Sequence, residues 1–279
     1  MKNVEPISVT HLFPELDALL LGLLRGLPAA DWNRPTVAPA WTIKDVVAHL
    51  VDGNVRALSI MRDSFWGESA GDVTSYDEQV LFLNKLNADW VRAFRRVSPA
   101  VLVMLLESTG REYCGFLRSL DPMAPSPIPV AWAGESTSLN WFHVAREYTE
   151  KWHHQQQIRL AVNDGQTLLS DQLYLPYLDT SMRALPHQYR NVSAPDGTVL
   201  RFRITGVAAA EWFLVRSDGR WSLCTGHDGS VACNVEIDKD IAWKIFTKAM
   251  KADQGLPSVR IEGDRRLGEP VLSMVAVMA

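Results

Sequence analysis

The residues best suited to chemistry lie in one short stretch, Glu150-Lys151-Trp152-His153-His154, near the middle of a run from about Ser138 to Val162. If that run is a helix, Glu150 and His154 stand one turn apart on one face, because side chains at i and i+4 lie one above the other. A carboxylate and an imidazole projecting together can hold two positions of a divalent metal, and a third ligand must come from elsewhere. His49, inside Trp41-Thr42-Ile43-Lys44-Asp45-Val46-Val47-Ala48-His49-Leu50, is the best candidate. The expected centre is therefore His49, Glu150 and His154 between two packed helices. Such inward-projecting carboxylates and histidines are a recurrent way to build a metal site inside a helix bundle.

Two neutral imidazoles and one carboxylate suit zinc. They leave a fourth position for water, which the metal acidifies, or for a thiol held as thiolate. The same donors accept iron, nickel or manganese, so ligand type alone does not fix the metal. Spacing alone is weak evidence, since Glu-x3-His pairs recur on solvated helix faces. His143 and Glu147 form a second such pair on the same face, and Glu147 could orient a ligand by hydrogen bonding. His153 is rotated by roughly 100° from His154, which places it at the surface or behind the ligands.

The elements that must position these groups follow from the pattern of apolar residues. Leu12, Phe13, Leu16, Leu19, Leu20, Leu23 and Leu24 mark a helix between Ser8 and Leu27. Thr42 followed by Asp45 has the form of a capping box and opens a helix to about Arg62. Gly67 to Ser75 reads as a polar loop. A third helix is expected from Tyr76 to Arg96. A fourth runs from Ser98-Pro99 to Leu120, and a proline-rich connection follows from Asp121 to Pro129. Asn163-Asp164-Gly165 ends the central helix, and a further helix runs from about Leu169 to Leu185.

Beyond Pro186 the texture alternates. Strands are expected over 198–205, 211–216, 220–225, 232–237 and 259–263, with Ser217-Asp218-Gly219 as a hairpin turn. Helices are expected over 241–250 and 268–279. Helices first and mixed elements later point to two domains: a metal-binding helical bundle over 1–165 and a smaller α+β domain over 166–279, with 166–186 as a linking helix.

Composition narrows the function. The 279 residues are 47% hydrophobic and 22% charged, with a formal net charge of −4 and scattered basic residues. That pattern disfavours a nucleic-acid partner and fits a small-molecule substrate. No apolar run has the length of a membrane span, and Met1-Lys2-Asn3-Val4-Glu5-Pro6 lacks a signal pattern, so the expectation is a cytoplasmic protein without a membrane partner. Cys114, Cys224 and Cys233 read as buried hydrophobes rather than a disulfide framework. Glycine-rich phosphate loops, dinucleotide fingerprints and G-x-S-x-G motifs are absent.

Trp41-Thr42-Ile43-Lys44-Asp45-Val46-Val47-Ala48-His49-Leu50, with Glu150-x-Trp152-x-His154 and Ile158-Arg159, resembles the DinB-like superfamily, in particular its mycothiol-dependent maleylpyruvate isomerase type. The resemblance covers about the first 165 residues. It implies a four-helix bundle with a zinc site on His49, Glu150 and His154. Gly219-Arg220-Trp221-Ser222-Leu223, Asp240-Ile241-Ala242-Trp243-Lys244 and Ile261-Glu262-Gly263-Asp264 resemble the sterol-carrier-like domain often fused to that bundle. Relatives commonly carry Gly-x-Asp-Ile-Arg after the second histidine, where this chain has Gln155-Gln156-Gln157-Ile158-Arg159.

The implied activity is that of a metal-dependent enzyme using a low-molecular-weight, mycothiol-like thiol for isomerisation or S-transfer on a small electrophile. Arg159 is a candidate for holding a substrate carboxylate. Two other readings remain open on the residues alone. One is hydrolysis by a metal-bound water, and the other is a non-catalytic metal- or ligand-binding regulatory protein.

Overall fold

The computed structural model describes residues 2–68, 71 and 75–277, with the backbone only of Tyr76. By internal contacts the chain forms two compact units, one of residues 9–127 and 150–165 and the other of 1–8, 128–149 and 166–278. The division therefore differs from a single boundary at 165. The long helix α5 (Asn140–Ala161) contributes its residues through Thr149 to one unit and those from Glu150 onward to the other. A continuous helix crosses from one core to the next without a linker's composition, which is why the texture of the sequence does not reveal the crossing.

The first unit is helical. It contains α1 (Phe13–Arg25), α2 (Ile43–Ala57), α3 (Tyr76–Phe94), α4 (Pro99–Ser119) and the second half of α5. Leu20 and Leu24 of α1, Val46, Val47 and Leu50 of α2, Leu102 and Leu106 of α4, and Ile158 of α5 form one buried cluster. These are the four helices of the bundle, and each fully buried aliphatic side chain contributes roughly 1.5–3 kcal/mol. Helix α3 joins the flank of α2, where Trp90 Nε1 donates to the Ala48 carbonyl at 2.9 Å.

Helix α1 begins at Phe13 rather than Ser8, because Pro14 is tolerated only in a first turn. Helix α2 reaches Arg62 as expected, but its last turn, Leu58–Arg62, is π-helical. Much of the loop expected over 67–75 lies outside the described residues.

The N-terminus of α2, which sets the direction of His49, is fixed by the expected capping box. Thr42 Oγ1 accepts from the Asp45 amide at 3.3 Å, and Asp45 Oδ2 accepts from the Thr42 amide at 3.1 Å. Asp45 is buried, and its other oxygen accepts from Arg95 Nε at 3.3 Å.

The second unit is α+β. Strands β1 (Lys2–Asn3), β2 (Val199–Thr205), β3 (Glu211–Ser217), β4 (Arg220–Thr225), β5 (Cys233–Asp238) and β6 (Val259–Gly263) form one sheet in the order β1-β4-β3-β2-β5-β6. Only the β2–β5 pair is parallel, with Phe202 opposite Val235. The β3–β4 hairpin turns at Asp218 and Gly219, both at positive φ (49° and 71°), as its Asp-Gly sequence requires.

The short helices α6 (Asp171–Met182), α7 (Leu185–Gln188) and α8 (Lys239–Phe246) belong to the same unit. Trp212 Nε1 donates to Asp179 of α6 at 2.8 Å, and Tyr174 hydroxyl of α6 donates to the Lys239 carbonyl of α8 at 2.8 Å. Helix α8 stops short of Met250 because Lys248 takes a left-handed conformation (φ 57°).

The expected helix over 268–279 is not formed among the described residues. A helical turn, Arg265–Gly268, leads into a 3-10 segment, Glu269–Ser273, and the chain then extends. Val271, Leu272, Met274, Ala276 and Val277 are all buried, so the extended segment still packs its apolar side chains into the core. Among the described residues no helix is long and apolar enough to cross a membrane.

Replacing Asp45 by Ala removes half of the capping box and the Arg95 contact together. We expect a loss of about 1–2 kcal/mol, measured by urea unfolding as a lower midpoint with unchanged slope. An unchanged midpoint would show that α2 does not depend on this cap.

Candidate metal centre

The structure brings His49, Glu150, His153 and His154 together within the helical unit. Helix α2 supplies His49, and α5 supplies the other three. His154 Nε2 lies 3.6 Å from Glu150 Oε2, the pair predicted from i,i+4 spacing. The His49 and His154 rings are 4.7 Å apart between centroids and nearly perpendicular, at 73°. Trp41 closes one side, its ring 4.8 Å from His49 and 6.1 Å from His154.

The electrostatics favour neutral imidazole at His49. Burial, followed by the adjacent His154, holds its pKa well below the usual histidine range, although the Glu150 carboxylate opposes this. The ring nitrogen Nδ1 of His49 is sealed from solvent and has no hydrogen-bond partner. A buried polar atom without a partner costs free energy unless something occupies its lone pair or takes its proton.

His154 is oriented from behind. Its Nδ1 lies 3.0 Å from Gln157 Oε1. An amide oxygen can only accept, so Nδ1 carries the proton and Nε2 presents its lone pair toward Glu150. This is the arrangement by which a metal-ligating histidine is usually held. Gln157 thus occupies the orienting position, and its i+3 spacing from His154 was the signal in the sequence.

Glu150 and His154 are spaced as two ligands of one divalent ion would be. Donors on a tetrahedral zinc ion stand roughly 3.3 Å apart, given metal–nitrogen distances near 2.0–2.1 Å. The 3.6 Å between Glu150 and His154 is close to that separation.

The structure places the remaining candidates as follows. His153 is not at the surface. It is buried, its ring lies 4.0 Å from that of His154, and its Nε2 is 4.0 Å from Glu150 Oε2. Arg159 is not available to a substrate. It is buried, ion-paired with Asp164, and donates to the Leu19 carbonyl at 2.9 Å. Glu147 is engaged elsewhere, accepting from Arg146 Nη2 at 2.6 Å, and that guanidinium also reaches His143 Nδ1 at 2.9 Å.

The glutamine run is buried rather than solvated. With its amide oriented to its neighbours, Gln155 donates to the Leu16 carbonyl at 3.0 Å and accepts from the Leu20 amide at 3.1 Å. Gln156 Nε2 donates to the Gly165 carbonyl at 2.6 Å.

Replacing Gln157 by Leu removes the acceptor and leaves His154 free to change tautomer. Two-dimensional 15N NMR of imidazole nitrogens in the metal-free protein should show His154 protonated on Nδ1 in the parent and a tautomer mixture in the variant. Retention of the single tautomer would contradict the assigned role.

Comparison with known proteins adds to this geometry. Residues 13–159 match the family model described as the mycothiol maleylpyruvate isomerase N-terminal domain. A solved mycothiol-dependent maleylpyruvate isomerase is 13% identical with a TM-score of 0.51, and the match covers 94% of this chain and 96% of that one. A histidine-to-alanine variant of a mycothiol-dependent maleylpyruvate isomerase is 12% identical, with the same TM-score of 0.51 and the same coverage, 94% and 96%. At such identities the likeness is one of fold, and it includes both the helical and the α+β parts. A UbiJ-SCP2 ubiquinone synthesis protein is 18% identical over 33% of this chain and 76% of that one, with a TM-score of 0.24. No curated protein matches the chain.

Proposed function

Because the chain belongs to the mycothiol maleylpyruvate isomerase N-terminal domain family, we propose that it is a thiol-dependent isomerase of small unsaturated acids such as maleylpyruvate. The observation that supports this reading most directly is the meeting of His49, Glu150 and His154, with Glu150 and His154 at 3.6 Å. These three residues would hold a divalent ion, and zinc is among the ions that suit two imidazoles and a carboxylate. When bound, such an ion supplies a Lewis-acid position at which a thiol loses its proton near neutral pH.

The chain's own residues prepare that position. His49 is kept neutral by burial, so its lone pair is free of a proton. Gln157 fixes the tautomer of His154. Trp41 packs against both rings and limits water on that side. The chemistry proposed for the cosubstrate is balanced without an oxidant. Thiolate sulfur adds to one alkene carbon, and the electron pair moves onto the conjugated carbonyl. The former double bond then rotates as a single bond, and collapse of the enolate expels the same thiolate from the trans product.

The test is turnover of maleylpyruvate followed by proton NMR, with mycothiol, with glutathione and with no thiol. We expect conversion to the trans isomer only with a thiol, lost after chelation and restored by zinc. His49→Ala and His154→Ala should each lower the rate by at least roughly 100-fold, about 2.7 kcal/mol of transition-state stabilisation. Absence of turnover with mycothiol in the zinc-loaded protein would overturn the reading. Thiol-independent conversion would do the same.

A further inference from the structure

With Arg159 closed inside the bundle, a cation for the carboxylate of an acid substrate must come from another element, and α2 carries one. Arg56 lies about two helical turns beyond His49 and so stands on the same face of α2. Arg34, ahead of α2, donates to the Ala161 carbonyl at the end of α5 at 3.4 Å, so the two helices run in opposite directions. The path along α2 from His49 to Arg56 therefore leads away from Trp41 and toward the Glu150 end of the centre. Solvent reaches the centre at that end. The Glu150 side chain is 26% exposed and that of Arg56 27%, against 10% for His154 and 5% for His153.

Arg56 is held in place there. Its Nη2 is ion-paired with Asp52 Oδ2 at 2.7 Å and donates to Asn87 Oδ1 of α3 at 2.8 Å. Both contacts use the same nitrogen, and among the described residues Nη1 and Nε have no hydrogen-bond partner. The charge of Arg56 also reaches the centre. Burial and then the adjacent His154 do most to lower the pKa of His49, Glu150 opposes them, and Arg56 adds to the lowering. We infer that Arg56 receives the carboxylate of the acid substrate, donating through Nη1 or Nε while Asp52 and Asn87 hold Nη2. This deepens the proposed function and rests on it, and it leaves the metal position open to the thiol. A guanidinium already fixed by its neighbours loses little rotamer freedom when it binds a carboxylate. Anchoring one end of the acid limits the poses in which its alkene meets the thiolate.

The experiment uses the full zinc-loaded chain as parent, as Arg56→Lys, as Arg56→Gln and as the double variant Asp52→Asn with Arg56→Gln, which leaves no buried carboxylate without its cation. Turnover is measured against maleylpyruvate and against mycothiol. Affinity for maleate, which shares the cis alkene between carboxylates, is measured by calorimetry without thiol. We expect KM for maleylpyruvate and Kd for maleate to rise at least roughly tenfold in both variants that lack the cation, the scale of one hydrogen bond to a charged group. The value of kcat, the KM for mycothiol and the zinc content should stay near those of the parent, because the contact binds substrate and transition state alike. Lysine should restore part of the loss.

Unchanged KM for maleylpyruvate and unchanged Kd for maleate in both variants that lack the cation would overturn the inference, as would a rise confined to the KM for mycothiol. Loss of zinc from the variants would overturn it too, since Arg56 would then serve the centre rather than the acid. A parent that binds maleate through Arg56 yet isomerises nothing would instead overturn the isomerase reading and leave the carboxylate site standing.

Discussion

The structure depends on how one helix buries its polar side chains. Between Glu150 and Arg159, α5 carries Lys151, His153, His154, Gln155, Gln156, Gln157 and Arg159 into the interior of the helical unit. Each such group must find a partner or destabilise the fold. Lys151 Nζ donates to Asp17 Oδ1 of α1 at 2.7 Å, and Gln155 and Arg159 both reach the backbone of α1. A hydrogen bond to a charged group contributes about 1.5–3 kcal/mol, and these contacts together fix the rotation of α5 against α1. Gly110 of α4 lets Asp17 come close, since a Cβ there would stand 2.9 Å from Asp17 Oδ2.

Once the rotation of α5 is fixed, the position of the site follows. The face that carries Lys151 and Gln155 is held by α1, which leaves Glu150 and His154 directed to His49 of α2. The capping box at Thr42 and the Trp90 contact at Ala48 fix the part of α2 that leads into that histidine. The chemical groups are thus preorganised by hydrogen bonds made to other elements. Gln157 serves the same end within α5, selecting the nitrogen that His154 presents.

Much of this was legible in the sequence. The apolar spacing located four bundle helices, the Thr42/Asp45 pattern marked the start of α2, and Asp218-Gly219 marked the hairpin. The pairing of Glu150 with His154 followed from i,i+4 geometry, and His49 from a short motif on α2. What was not legible has a common cause. Helical spacing states which residues share a face but not whether that face is buried, so the burial of His153, Arg159 and the glutamine run could not be read from it. The C-terminal segment is apolar enough to suggest a helix, but apolar content alone does not distinguish a helix from the 3-10 turn and extended chain that form there.

The central claim is that a divalent ion sits on His49, Glu150 and His154. The most direct measurement is a crystal structure of the zinc-loaded protein with anomalous diffraction data on both sides of the zinc absorption edge. The account predicts one anomalous peak within about 2.0–2.2 Å of a nitrogen of His49, a nitrogen of His154 and an oxygen of Glu150. An anomalous peak elsewhere, or none at these side chains in protein that carries stoichiometric zinc, would contradict it.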